Sequence, residues 1–274
     1  NAKWLAFIGL PALQLAFMRY AGHFVISSLL IVRGGLEISR FGTDHLMLVL
    51  IRGVLLMLST VFNFIAVQYL PLTLTSTILF SAPIMICALS WPLLGERVGI
   101  WRWSAIMIGF CGILIAIRPF DESFHWAVIL SLGGALCFAL YSILTRKLSG
   151  IVASDTMQFY SGAVGTFLLL PVAVSLWQNP DTGLQWGQMI LLGVFGWIGH
   201  EFLTRAHGFA TASTLTPYGY TFIIYMTIWS MLVFEHSPDF WTILGALVIV
   251  FSGLVIWFRE LRLSRKRQSM GTNL

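Results

Sequence analysis

Charged residues are scarce in this chain: they make up 10% of its 274 residues, whereas soluble globular domains carry about 25%. The apolar residues, 58% of the total, come in blocks close to the ~20 residues that a helix needs to cross the hydrocarbon core of a bilayer. These blocks are continuous rather than alternating, which excludes a β-barrel. The sequence therefore predicts an all-α integral membrane protein.

Cysteine is equally rare, and the residue clusters of enzymes and metal sites are absent. Cys87, Cys111 and Cys137 lie inside apolar blocks, without CxxC or Cys/His spacing. We interpret them as small buried hydrophobic residues. A membrane transferase would need acidic metal ligands or a His/Asp pair at an interface, and no such cluster exists. The sequence thus predicts no enzyme activity, no catalytic residue, no metal and no cofactor.

The apolar blocks predict ten transmembrane helices, with Asn1–Leu10 as the last part of a truncated first helix. Leu72–Leu94 is interpreted as one span. Basic residues favour the cytoplasmic side of a membrane, and here they occupy every second loop and the tail, whereas the opposite loops hold Arg118. The cytoplasmic set is Arg33, Arg40, Arg97, Arg102, Arg146, Lys147, Arg259, Arg262, Arg265, Lys266 and Arg267. The pattern predicts a multi-pass membrane protein with both termini cytoplasmic.

Two hydroxyl-rich stretches, Tyr69–Glu96 and Gly208–Glu235, lie 139 residues apart, and each ends at a glutamate. The motif GFCGILI at Gly109–Ile115 is similar to VFSGLVI at Val250–Ile256. Each repeat contains five spans. Because five is an odd number, the second copy must enter the membrane from the opposite side, inverted relative to the first, as in many secondary transporters. We expect a first five-helix repeat at 1–120, a second, inverted one at 121–261, and a basic cytoplasmic tail at 262–274.

Several motifs resemble the drug/metabolite transporter superfamily, in its EamA-type ten-helix branch. They are the Pro11–Tyr20 run, AVQYLPLTLTSTILFSAPI…LLGE at Ala66–Glu96, GFCGILI, and ALYSILTRKL at Ala139–Leu148. Within that branch the chain is similar to bacterial aromatic amino acid exporters. The resemblance implies two five-helix halves around a central cavity lined by helices 1, 3, 4, 6, 8 and 9, and export without ATP. The family's Trp-Gly motif in helix 1 is missing, Phe222 stands where Pro83 stands in the first copy, and Phe234 replaces Gly95.

A substrate pocket is predicted from side chains on one face of the central helices. On helix 9, four hydroxyl residues step by 4, 3 and 4, which places them on one helix face; helix 4 offers a matching face, and helices 3 and 6 add one residue each. The pocket residues are Asn63, Thr75, Leu79, Tyr141, Thr214, Tyr218, Thr221 and Tyr225. Hydroxyls in spans also commonly bond to their own helix carbonyls. Hydroxyl and aromatic groups suit a neutral or zwitterionic solute with an apolar side chain.

Charged residues inside spans need a reason, because each costs about 2.5–3.5 kcal/mol at the membrane centre. Glu201 is the acidic residue well inside a span, and Arg205 follows at i+4, which predicts an ion pair. The alternative is a proton or carboxylate site, for which His200 is the titrating candidate. Glu96 and Glu235 end their spans, either solvated at the interface or as gates.

Two arginines, Arg19 and Arg52, also lie several residues inside spans. We expect Arg52 to reach the cytoplasmic interface by snorkelling. Arg19 is deeper, and we expect it to pair with helix-end carbonyls or with a carboxylate.

The leading hypothesis is a secondary transporter that exports aromatic or neutral amino acids and related small metabolites by alternating access. The alternative is a carrier of a drug cation or a nucleotide sugar; a nucleotide would want several convergent Arg or Lys. The expected partners are a small-molecule substrate and the lipid bilayer, without nucleic acid, and a monomer is compatible with this organisation.

Overall fold

The computed structural model describes residues 2–33, 42–94, 100–118, 124–209, 221–235 and 237–271, and every regular element within these ranges is a helix. The helices are α1 (Ala2–Phe7), α2 (Ala12–Arg33), α3 (Leu46–Tyr69), α4 (Leu72–Leu79), α5 (Ala82–Leu94), α6 (Ile100–Ile117), α7 (Ala127–Leu148), α8 (Ser154–Ser175), α9 (Gly183–Phe209), α10 (Thr221–Phe234) and α11 (Phe240–Gly271). By length and composition, α2, α3, α7, α8 and the first part of α11 could each cross a membrane. The all-helical character is confirmed, while the ten-helix inverted repeat stays a prediction.

The connection between α1 and α2 is a tight helix end followed by proline. Gly9 adopts a positive φ of 99°, which suits glycine at the position after a helix. Its N–H donates to the Ala6 carbonyl, and the Leu10 N–H donates to the Leu5 carbonyl, both at 3.1 Å. This pair of bonds is the Schellman arrangement. Leu5 and Leu10 then share one apolar cluster with residues of α9, so the turn fixes α1 against its neighbours.

The predicted single span Leu72–Leu94 is two helices, which corrects the sequence interpretation. α4 ends at Leu79 and α5 begins at Ala82. At the break the Ser81 N–H donates to the Ile78 carbonyl at 2.9 Å. The cause is Pro83, which lacks an N–H and whose ring crowds the carbonyl four residues earlier. Span 4 therefore contains a discontinuity in its first half.

The chain forms two compact units, and each takes residues from both predicted repeats. Unit 1 comprises Asn1–Tyr69 and Leu140–Phe209, and unit 2 comprises Leu70–Ala139 and Ala210–Leu274. In unit 1, α2 packs against α3, α8 and α9; in unit 2, α6 packs against α4, α5 and α11. The sequence boundaries at 120 and 261 describe repeats rather than compact bodies, and they stay a prediction.

Glycine pairs allow two helix crossings with almost no side chain between them. In unit 1, a Cβ added at Gly22 of α2 would lie 2.7 Å from the Gly193 Cα of α9. In unit 2, a Cβ added at Gly245 of α11 would lie 2.6 Å from the Gly112 carbonyl oxygen of α6. Small residues that bring backbones together are a common means of helix association in membranes.

Replacing Gly193 with alanine is expected to lower the free energy of unfolding by about 1–3 kcal/mol, the usual cost of overpacking. The added methyl would meet backbone atoms of Gly22, which cannot rotate away. Gly187→Ala is the matched control, because Gly187 lies on the same helix with no atom within 4 Å of its added Cβ. The measurement is thermal unfolding of both variants in detergent, and equal melting temperatures would contradict the close crossing.

Candidate functional site

Arg52 of α3 is fully buried within unit 1 and uses its whole guanidinium. Its side chain is 0% exposed, so it does not snorkel, contrary to the sequence expectation. The five bonds go to Thr145 Oγ1 from Nε, to the Met157 carbonyl and Ser161 Oγ from Nη1, and to Tyr141 Oη and Thr204 Oγ1 from Nη2, at 2.7–3.1 Å. A guanidinium has five N–H donors, so Arg52 joins α3 to α7, α8 and α9 through neutral acceptors.

Arg19 of α2 is half-buried and is held by two neutral groups. Its Nη1 donates to Thr60 Oγ1 at 2.7 Å, and its Nη2 lies 2.6 Å from His200 Nε2. The Thr60 hydroxyl itself donates to the Leu56 carbonyl, and Tyr20 Oη lies 2.8 Å from Thr60 Oγ1. The expected carboxylate or helix-end carbonyl does not occur among the described partners of Arg19.

The hydrogens of this network can be assigned by donor chemistry. Because a guanidinium only donates, His200 Nε2 must accept from Arg19, and the imidazole is neutral with its proton on Nδ1. That Nδ1 lies 3.4 Å from Tyr141 Oη, which also accepts from Arg52. Arg52 additionally stacks on the Tyr141 ring, with its Cζ 4.5 Å from the ring centroid. We call Arg19, His200, Tyr141 and Arg52 the arginine network.

The predicted ion pair between Glu201 and Arg205 is present on α9. Arg205 Nε donates to Glu201 Oε1, one helical turn away. Ser154 Oγ donates to the other carboxylate oxygen at 3.1 Å. The Glu201 side chain is 7% exposed and that of Arg205 is 62% exposed. The ion pair therefore lies at the surface of unit 1, with its arginine exposed and its carboxylate buried. A transport role for Glu201 stays a prediction.

Buried polar atoms without a hydrogen-bond partner lie next to the arginine network. Both ring nitrogens of His23 are in this state, as are Ser27 Oγ and Gln158 Oε1. The His23 ring stacks between those of Tyr20 and His200, at centroid distances of 6.5 and 6.4 Å. Buried polar groups in proteins are normally satisfied, so these atoms indicate room for water or for a ligand group.

Among the predicted pocket residues of unit 1, Tyr141 belongs to the arginine network and is completely buried. Asn63 is half-buried and lies on α3 three residues after Thr60, so the two share a helix face. His200, predicted as a coupling residue, contacts both Arg19 and Tyr141. The sequence analysis thus selected Tyr141 and His200 as site residues, and it noted Arg19 and Arg52 inside spans without placing them in the same site.

The predicted residues of unit 2 have different environments. The Thr75 hydroxyl donates to carbonyls of its own helix, at Pro71 and Leu72, as the simpler interpretation expects. Leu79 packs against an apolar cluster formed by Ala82, Ala135 and Ala139. For the remainder, Tyr225 and Glu235 are exposed, Glu235 with a φ of 51°; Thr214, Tyr218 and Glu96 lie outside the described residues, as does the side chain of Thr221. The pocket as a whole stays a prediction.

The site of Arg52 had a signal in the sequence that could have been used. Three helices each place two of its contacts or their neighbours four residues apart: Tyr141 and Thr145, Met157 and Ser161, His200 and Thr204. Residues at i and i+4 face the same way on a helix. Polar side chains at this spacing on apolar helices, as in Tyr141 with Thr145 and His200 with Thr204, therefore indicate a buried donor on another helix, whereas Met157 contributes only its backbone carbonyl.

The model of the EamA-like transporter family matches residues 3–118 and 125–258. The chain belongs to the EamA-like transporter family. The resemblance inferred from the sequence motifs is thereby confirmed, and the chain is a multi-pass membrane protein of a family of transporters, in keeping with the expectation that it is not an enzyme.

Relatives of this EamA-like protein carry different solutes. It is 29% identical over 248 residues to the pseudopaline exporter CntI of Pseudomonas aeruginosa, covering 90% of this chain and 86% of that protein. It is 29% identical over 222 residues to an S-adenosylmethionine uptake transporter of Rickettsia felis, with 80% and 75% covered. A riboflavin transporter of Vibrio cholerae is 28% identical over 267 residues, with 96% and 88% covered.

A solved crystal structure supports the fold of the EamA-like chain. It superposes with a TM-score of 0.67 at 16% identity, covering 90% of this chain and 88% of the other. At this identity the likeness concerns the fold alone. Together the relatives include an exporter and uptake transporters, so family membership leaves the solute and the direction of transport open.

Proposed function

We propose that this chain is a secondary transporter that exports neutral, chiefly aromatic, amino acids and related small metabolites by alternating access. The observation that carries the proposal is the arginine network inside unit 1. Ionisable groups within membrane helices are costly and usually mark a solute or ion path. Helix packing alone needs no guanidinium, because small residues such as Gly22 and Gly193 already bring α2 and α9 together.

The ten-helix inverted repeat belongs to the same proposal. Its support is the match of the family model over two stretches, residues 3–118 and 125–258, together with the likeness of Tyr69–Glu96 to Gly208–Glu235. In such transporters the solute binds near the midplane, between repeats. We accordingly assign both termini to the cytoplasm of a bacterium, and Glu96 and Glu235 to opposite faces of its inner membrane, as gates.

Coupling is assigned to His200, with the Glu201–Arg205 ion pair as the alternative. An imidazolium has no acceptor nitrogen, so a proton on His200 Nε2 is incompatible with the bond that it accepts from Arg19. A proton that enters here therefore frees Arg19 to move. Glu201 offers a carboxylate on the next position of α9, and there Arg205 is the group that a proton would release.

The alternative solutes are a drug cation and a nucleotide sugar. A cation is disfavoured beside Arg19 and Arg52, because like charges repel strongly where water is scarce. A nucleotide sugar gains some support, since two arginines belong to one network, but all five donors of Arg52 are already used. One arginine with spare donors suits a single carboxylate better than a diphosphate.

Replacing Tyr225 or Tyr218 with alanine is expected to reduce phenylalanine flux in proteoliposomes by about tenfold, the effect of losing an aromatic contact worth about 1.4 kcal/mol. Tyr225 is 61% exposed, so its removal should leave the melting temperature unchanged. Tyr69→Ala is a matched control, because Tyr69 is a 53% exposed tyrosine outside the predicted pocket. Wild-type flux in both pocket variants would refute their role in binding.

A further inference from the structure

The strongest unexplained feature is a surplus of positive charge inside unit 1. The hydrogen-bond partners of Arg19 and Arg52 are all neutral within the described residues. Glu201 attracts Arg52 electrostatically at longer range, but its carboxylate oxygens accept hydrogen bonds from Arg205 and Ser154. Buried charges in proteins are normally paired, and within the described ranges these two guanidinium groups have no carboxylate of their own, which favours the binding of an anion.

Counting donors shows where that anion would bind. Arg52 has no donor left, because its five N–H groups are bonded and its side chain is inaccessible. Arg19 bonds to Thr60 and His200 and also lies over the Tyr20 ring, with its Cζ 5.3 Å from the ring centroid, so among the described residues not all of its N–H groups are used. Arg19 is also half-buried rather than enclosed. The accessible cationic donor of the network is therefore Arg19.

The position of Arg19 is fixed before any ligand arrives. Thr60 and His200 hold two different nitrogens of its guanidinium. The backbone of Gly196 packs against the same side chain, because a Cβ added there would lie 3.0 Å from both the Cγ and the Nε of Arg19. The absence of a Cβ at this position leaves room for the Arg19 side chain. A planar fork held in this way is suited to the paired oxygens of a carboxylate.

A second observation points to a ligand at the same place. His23 is 0% exposed and has Gln158 as a polar neighbour, yet among the described residues neither its ring nitrogens nor Gln158 Oε1 makes a hydrogen bond of normal geometry. His23 stacks on His200, whose Nε2 accepts from Arg19. These atoms could complete the hydrogen bonds of a polar ligand group or of the water that accompanies it.

We propose that Arg19 binds the carboxylate of the transported solute, so that the protein selects solutes carrying this group. This inference rests on the proposed function for the identity of the solute, an amino acid. Arg52 contributes its charge from the interior without touching the ligand. The neutral groups Thr60 and His200 fix the position of the guanidinium, and the aromatic side chain is accommodated elsewhere.

The test compares three probes that share a phenyl group: 3-phenylpropionate, which has the carboxylate alone, and its amide and phenethylamine, which lack it. Purified protein in chloride buffer should be stabilised against thermal unfolding by 3-phenylpropionate and not by the other two. In proteoliposomes, 3-phenylpropionate should inhibit phenylalanine flux at a concentration at least about tenfold lower than the amide does, as expected for a charge-assisted bond.

Variants localise the effect. Arg19→Gln should abolish the stabilisation by 3-phenylpropionate, and Gly196→Ala, which displaces Arg19, should weaken it. Gly199→Ala is the matched control, since Gly199 lies on the same helix with no atom within 4 Å of its added Cβ. Should Arg19→Gln fail to fold, the comparison of Gly196→Ala with Gly199→Ala still decides.

The outcomes separate this inference from the proposed function. Equal effects of the acid and its amide, or stabilisation by 3-phenylpropionate that persists unchanged in the Arg19 and Gly196 variants, overturn the carboxylate site and leave transport intact. Stabilisation that depends on Arg19, without flux of any amino acid, supports the site and overturns the proposed solute.

Discussion

Replacing Arg52 with alanine is expected to lower the free energy of unfolding by about 3–5 kcal/mol, because it opens a cavity and leaves buried hydroxyl and carbonyl acceptors without their donor. The change leaves a cavity the size of the arginine side chain beyond Cβ and removes the donor shared by α7, α8 and α9. The measurement is denaturant or thermal unfolding in detergent.

The control for this experiment is Arg33→Ala, because Arg33 is exposed at the end of α2. Its loss should change stability by less than about 0.5 kcal/mol. Arg52→Lys keeps the charge but offers three donors from one nitrogen, so it should recover only part of the loss. A lysine variant as stable as the natural protein would mean that stability depends on the positive charge at this position, rather than on the five hydrogen bonds of the guanidinium.

Removing Arg205 is expected to lower the free energy of unfolding much more than removing the charge of its partner Glu201. Arg205→Ala leaves the Glu201 carboxylate buried with a single bond from Ser154, which we expect to cost about 3 kcal/mol. Glu201→Gln leaves an arginine that is 62% exposed and solvated, at a cost of under about 1 kcal/mol. Chemical unfolding of both variants, each compared with the natural protein, measures the asymmetry.

The double variant is the control for this asymmetry. Adding Glu201→Gln to Arg205→Ala should restore most of the lost stability, because no buried charge then remains without a partner. If the two single changes cost the same, the pair is held by geometry or helix propensity, and burial of Glu201 is not the decisive factor.

The helices and the local ion pair could be predicted because their causes are local. Hydropathy blocks of span length give the positions of the helices, since the bilayer sets their length. The i+4 spacing of Glu201 and Arg205 places them together on any helix. Pro83 signalled the break in span 4, although the sequence interpretation kept that span whole.

The surroundings of Arg52 could not be predicted in this way. The sequence gives its depth along α3, and from depth alone snorkelling is the reasonable expectation. Whether an arginine turns inward instead depends on what the neighbouring helices offer, and its partners lie between 89 and 152 residues later in the chain. The pocket residues share this difficulty, because a helix face is visible in the sequence while the helix that it meets is not.

The sequence separation between Arg52 and its partners matters while the protein is being synthesised. When α3 enters the membrane, none of the groups that will bond to Arg52 has yet been synthesised, and Thr204 is 152 residues away. At about 5–20 residues per second, roughly 8–30 s pass before it is made. During that interval an Arg52 placed at the membrane centre costs about 2.5–3.5 kcal/mol, which hydration at the aqueous surface avoids. A nascent chain interrupted before α7 therefore lacks every described partner of Arg52, whereas one interrupted before α9 lacks Thr204 alone.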